Sequence, residues 1–261
     1  MKIVYITLLL KFLIILPQFG KGNFLEIKNA DGETPLLMAA KKSLQLTKML
    51  IAAGADVNVT DKYGVPVLHH AVNYNQYEIV KVLIDNNVNI NCITKFNETA
   101  LFWTTFSDVD LNITDLLISV GVNINFPNQD GVTPIHYAIM KENRNAFDNL
   151  LKNQADVDMK NINGVAPLHT AAEKDVYYIR GLLDHGANIN IRNGYNNTPL
   201  HLAVQERKPD IVQELLVRGS DRTAQNNKGD TPLHTVIRFN YIDIAELFLT
   251  IPSKMYETEI V

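Results

Sequence analysis

Residues 198–203 read "TPLHLA", and close variants of these six residues recur throughout the chain. They return as "TPLLMA" from Thr34, "PVLHHA" from Pro66, "TALFWT" from Thr99, "TPIHYA" from Thr133, "APLHTA" from Ala166 and "TPLHTV" from Thr231, at spacings of 32 to 34 residues. A period of this length marks stacked units that bury apolar surface against their neighbours rather than around one closed core. Threonine before proline is a helix start. The hydroxyl caps free backbone N–H groups, and proline lacks an N–H where none would find an intrahelical partner.

The register extends outward on both sides of this start. Before it stand "NADGE", "DKYGV", "NQDGV", "NINGV" and "NNKGD", in which Asn or Asp and then glycine supply turn chemistry. After it come runs such as "EIVKVLI" from Glu78 and "DIVQELLVRG" from Asp210, apolar at i, i+3, i+4 and i+7 as in an amphipathic helix. These runs close at one matched position, held by Gly54, Asn87, Gly121, Gln154, Gly186 and Gly219. Glycine and asparagine suit a left-handed helix C-cap; Gln154 does not, and a strained or frayed end is expected there.

One unit is thus a turn, a short helix, a tight connection, a longer helix and an extended return. The pattern "DG-TPLH-A" followed by "LL--GA-(V/I)N" resembles the ankyrin repeat, over nearly all of residues 24–251. The resemblance implies an all-α fold, an ankyrin-repeat solenoid of stacked helix-turn-helix units with projecting β-turn or hairpin loops. It places a single domain over 23–261, with repeats starting near 34, 66, 99, 133, 166, 198 and 231. The third repeat departs from the pattern at Ala100, Phe102 and Thr104, carries Trp103, and has a longer helix–helix connection around residues 107–110. It reads as a degenerate packing unit or as the place where specificity is built.

The chemistry classes narrow quickly. A net charge of −4 and the lack of a long basic run give no footprint for nucleic acid. Cys92 stands alone, which excludes an intramolecular disulfide and zinc sites built on paired cysteines. No phosphate loop, "HExxH" or "GxSxG" is present. His69, His136, His169, His201 and His234 recur with the scaffold, whereas a catalytic histidine has a unique environment. The resemblance implies that they link neighbouring turns by hydrogen bonds. His70 and His185 read as surface or half-buried residues, and Cys92 as structural. An unrecognised active site would have to use residues such as Ser107, Asp108 or Cys92. The expectation is therefore a non-catalytic, monomeric binding protein with a protein partner and no cofactor, metal, nucleic acid or small-molecule substrate.

The resemblance implies a concave binding face of turn tips and short helices. Just before the turn glycine position stand Asp31, Asp130 and Asn163, but Tyr63, Phe96, Tyr195 and Lys228 in the other repeats. Aromatic side chains on tips give contact area at low entropy cost. The matching exposed helix places are read as Lys41, Tyr74, Phe106, Met140, Lys174, Gln205 and Phe239. The partner-binding set expected is Tyr63, Phe96, Tyr195, Lys228, Tyr74, Trp103, Phe106, Met140 and Phe239.

The N-terminal "MKIVYITLLLKFLIIL" reads as a signal peptide over residues 1–22, with a membrane anchor or a capping helix over 3–16 as alternatives. Roughly 14 apolar residues reach about 21 Å, short of the roughly 30 Å hydrocarbon core. Secretion is expected, with a cytoplasmic or anchored protein as the alternative. Four sequons, at Asn58, Asn97, Asn112 and Asn196, bear on that question. Asn58 is expected to bond neighbouring backbone, and Asn97 and Asn196 to stand in for the turn glycine. Met255, Tyr256 and Ile260 are expected to cover the last helix, unless that edge is itself an interface.

Overall fold

The computed structural model describes residues 23–106 and 109–252. The signal-peptide, anchor and capping-helix readings, Ser107 and Asp108, and the covering residues Met255, Tyr256 and Ile260 lie outside the described residues. Among the described residues the regular elements are a single-turn 3-10 helix, Asn23–Glu26, and fourteen α-helices, and none of these is long and apolar enough to cross a membrane. Two isolated bridges, Thr60 with Pro66 and Ile93 with Thr99, close loops in hairpin fashion. The sequence reading takes 23–261 as one domain. Compactness divides it in sequence between Asn123 and Ile124, after the repeat in which Phe102 holds the histidine place.

The first unit contains α1 (Pro35–Ala40), α2 (Leu44–Ala52), α3 (Val67–Asn73), α4 (Tyr77–Asp85), α5 (Ala100–Trp103) and α6 (Leu111–Ser119). The second contains α7 (Pro134–Met140), α8 (Arg144–Lys152), α9 (Pro167–Ala172), α10 (Val176–Asp184), α11 (Pro199–Gln205), α12 (Pro209–Val217), α13 (Pro232–Arg238) and α14 (Ile242–Thr250). Within each unit, short odd-numbered helices pack on short ones of the neighbouring repeat and longer even-numbered helices on longer ones, giving two layers. The core lies between the layers. Leu36, Leu68, Leu101, Leu168 and Leu200 recur there with no exposed surface.

The third repeat is short for a local reason. Thr104 and Thr105 are buried, and their hydroxyls donate 2.7 Å bonds to the carbonyls of Leu101 and Phe102. Threonine back-bonds of this kind compete with the helical ladder. The helix stops after four residues.

At the matched helix ends the backbone is left-handed throughout, with φ from +60° at Asn87 to +94° at Gly54. Gln154 follows suit at φ +61°, yet its N–H still bonds the Leu151 carbonyl at 2.9 Å and the Ala155 N–H the Leu150 carbonyl at 3.0 Å. That end is strained rather than frayed. A side chain held in this region costs about 1–2 kcal/mol, partly offset by glycine's greater freedom when unfolded. Gln154→Gly is therefore expected to raise stability by about 0.5–1 kcal/mol, read as a higher urea midpoint at unchanged slope.

Candidate functional site

The recurring histidines were examined first because they are the groups best suited to proton transfer. Nε2 of His69, His136, His169 and His201 lies 2.9–3.1 Å from the carbonyl oxygens of Glu98, Val165, Asn197 and Asp230, each in the next repeat. A carbonyl only accepts, so each Nε2 carries the proton and donates. Nδ1 is then an acceptor, and it takes the N–H of Thr133, Ala166 and Thr198 at 3.1–3.3 Å in the last three of these repeats. Both ring nitrogens are used and the ring is neutral. Burial pushes His69, His136 and His169 down to about 4 and lowers His201. These rings fasten one repeat to the next, as expected. His234, in the last described repeat, keeps the Thr231 contacts but is exposed.

His69 meets a special problem, because Pro66 has no N–H to offer its Nδ1. The thiol of Cys92 fills the place at 3.8 Å, and burial raises that thiol to about 11. A neutral thiol donating to a neutral imidazole is structural, not the thiolate–imidazolium pair that nucleophilic catalysis requires. His70 donates through Nε2 to Asp61 Oδ2 at 3.0 Å. Burial and then the Lys41 charge lower His70. Burial would raise Asp61, but the N–H groups of Val65 and Tyr63 and the His70 contact lower it overall. No hydroxyl or thiol hydrogen-bonds to His70 among the described residues, and no group of three or more potential metal ligands is found among them.

The turn tips are built to hold side chains outward. In every repeat the first turn residue accepts the N–H groups two and four residues ahead, at 2.8–3.4 Å: Asn29, Asp61, Thr94, Asn128, Asn161, Asn193 and Asn226. The sequence reading saw the turn but not this bonding, although the recurrent Asn or Asp was its signal. In the second unit neighbouring tips are also joined by backbone bonds, Ile162 to Asp130, Gly194 to Asn163 and Asn227 to Tyr195, at 3.0–3.1 Å. A Cβ on Gly164 would lie 2.7 Å from the Gly194 nitrogen, so this close approach needs glycine as much as its φ of +71° does. Asn97 and Asn196 take the glycine place with φ +67° and +58°.

On these frames Tyr63, Phe96 and Tyr195 are 58%, 53% and 71% exposed, and Lys228 is exposed. The ammonium of Lys95 lies 5.0 Å from the Phe96 ring centre and 5.9 Å from that of Tyr63, with Lys62 5.1 Å from Tyr63. Ile162, at the tip place two before the glycine, is also well exposed, and the sequence reading passed it over because it weighed only the residue next to the glycine. Tyr74, Met140 and Phe239 are exposed as expected. Tyr74 and Phe239 are C-caps of α3 and α13, however, so they and Lys174 fall one place beyond the register of Lys41, Phe106, Met140 and Gln205. Trp103 and Phe106 are half-buried: Trp103 packs edge-on against His69 at 5.2 Å, lies 5.5 Å from Phe106 and donates to Glu98 at 2.9 Å.

Among the sequons, Asn58 is exposed and its Oδ1 accepts the Asn89 N–H at 2.8 Å, the neighbouring-backbone bond expected of it. Asn112 and Asn196 are exposed too, with Asn196 donating to Asn227 at 2.7 Å.

Family models described as ankyrin repeats match the chain over residues 7–94, 68–161 and 101–193, and a second such model over 182–236. A putative ankyrin repeat protein of Acanthamoeba polyphaga mimivirus, L371, is 30% identical over 128 residues, 48% of this chain and 17% of that protein. The putative ankyrin repeat protein YahD of Escherichia coli is 28% identical over 203 residues, 74% of this chain and 98% of that protein. The chain spans less than a fifth of the length of several relatives it matches, 17% of the palmitoyltransferase AKR1 of Lachancea kluyveri among them. Among solved structures, the ankyrin repeat domain of Bcl-3, a member of the IkappaB protein family, superposes with a TM-score of 0.75 at 26% identity, covering 83% of this chain and 99% of that one.

The neutral histidines set a pH dependence. His69, His136 and His169 sit at about 4 folded against about 6.5 unfolded, so between those values the unfolded chain binds more protons. Their contribution is complete above about pH 6.5 and is lost as pH falls toward 4, at up to about 1.4 kcal/mol per pH unit for each ring. Urea midpoints are expected to drop in order from pH 7 through 5.5 to 4.5, and His136→Gln to flatten part of the slope. A midpoint constant over this range would contradict the neutral, donating ring.

Proposed function

Because the chain belongs to the ankyrin-repeat family, whose fold serves as a protein–protein interaction scaffold, we propose that it is an exported, non-catalytic and monomeric binder of one partner protein. The observation that carries this reading is the presentation of Tyr63, Phe96 and Tyr195. Each aromatic stands exposed on a turn whose backbone is held by its own side-chain bonds. Such a surface orders few groups on binding and so loses little affinity to conformational entropy. In the first unit Tyr74, Trp103 and Phe106 extend the contact from the tips to the short helices, with the half-buried pair offering only an edge. In the second, Lys228, Met140 and Phe239 do the same.

Export is supported by the order of residues 1–22, with a short basic start, an apolar run and small residues after Pro17. A second reading is a regulator inside the cell that masks its partner, with residues 3–16 as a capping helix. It is favoured by the family match that starts at residue 7, inside the apolar run. A protein anchored in the membrane through that run is the remaining form of the same scaffold. Mass measurement of the mature N-terminus separates them, since an intact Met1 in the soluble form would remove the exported reading.

Affinity capture with the domain from Asn23 onward, beside the triple variant Tyr63→Ala, Phe96→Ala and Tyr195→Ala, tests the contact surface. The variant is expected to fold normally and to lose its partner, since exposed aromatic anchors each contribute about 1–2 kcal/mol or more at an interface. Equal capture by both proteins would sink the reading.

A further inference from the structure

The outer layer of the second unit holds an open groove between α8 and α10, of about 660 Å³, away from the turn tips. Its shape begins with Gly181. Glycine is costly in a helix interior, yet a Cβ here would lie 2.6 Å from Cε1 of Phe147 and 3.2 Å from Cδ1 of Leu151. Those side chains therefore rise to the bare backbone of α10. Leu151, Gly181 and Val176 leave an apolar strip along the groove.

The charges on the rim are unequally satisfied. Asp148 accepts the Tyr177 hydroxyl at 2.5 Å, and this bond is the first cause that raises the phenol to about 12. Asp184 is paired with Arg218 at 2.6 Å, and Arg180 with Glu214 at 2.9 Å. The Nδ1–H of His185 is committed to the Gly181 carbonyl at 2.8 Å. Lys152 is exposed and makes no ion pair among the described residues. Both acids of the groove have partners from within the protein, while its lysine has none. The unmet demand is for a carboxylate beside an apolar group.

We infer that this groove is a second docking site, which takes an acidic segment of a protein partner. A bulky apolar side chain of that segment lies along Leu151, Val176 and Gly181, and a neighbouring Asp or Glu meets Lys152. The volume suits a few side chains. The site shares no residue with the turn-tip surface, so the two stand or fall separately.

A random dodecapeptide library displayed on phage is panned on the full chain, and enriched sequences are synthesised and measured by fluorescence anisotropy. Enriched peptides are expected to place Asp or Glu within a few residues of Leu, Met or Phe. They should bind the Tyr63→Ala, Phe96→Ala, Tyr195→Ala variant like the wild type, lose tenfold or more on Lys152→Glu, and recover with Lys152→Arg. Enrichment without that pattern, no enrichment at all, or equal affinity for Lys152→Glu would overturn the groove. So would loss confined to the triple variant, which would assign the peptides to the turn tips.

Discussion

The structure depends on keeping a buried imidazole neutral between two hydrogen bonds. Each inner histidine collects an N–H from its own helix start and delivers its proton to a carbonyl in the next repeat. A charged ring would lose the Nδ1 acceptor and pay the desolvation cost of a buried cation. One choice of tautomer thus sets the helix cap, the spacing between repeats and the chemical inertness of the ring. Where the histidine is missing, at Leu37 and Phe102, the cap reverts to the threonine hydroxyl, which accepts the N–H of Leu37 or Phe102.

The same neutrality explains why a chain with seven histidines and a thiol gives no sign of proton chemistry. The groups that could act are spent on fastening. What the scaffold offers instead is a set of outward side chains whose backbones are fixed by Asx-type turns, and most of the binding cost that a flexible loop would incur is met on folding.

Much of this was legible in the sequence because it follows a period. The helix starts, the turn glycine place with Asn97 and Asn196 in it, and the left-handed helix ends at Asn87 and Gln154 all follow from residue type at a matched position. Reading failed where a local interaction overrides the period. The buried hydroxyls of Thr104 and Thr105 shorten α5, and Trp103 turns inward to pack on His69. Spacings of 32 to 34 residues shifted Tyr74 and Phe239 by one place, enough to move them from a helix face to a cap. The groove beside Gly181 depends on Phe147, 34 positions earlier, and no pattern within one repeat reports such a pair.

The contact between Cys92 and His69 has a consequence for how this sequence can diverge. Proline at 66 removes an N–H, and a sulfur 26 positions later restores the donor. The two positions are therefore not free to drift separately. Replacing Cys92 by alanine leaves an imidazole nitrogen unpaired in the core, whereas the same change in a chain with threonine at 66 leaves Nδ1 served by the backbone. Residues in one hydrogen-bond network couple in this way. The lone cysteine is thus a compensating residue, whose persistence in a lineage would follow the proline rather than any reaction.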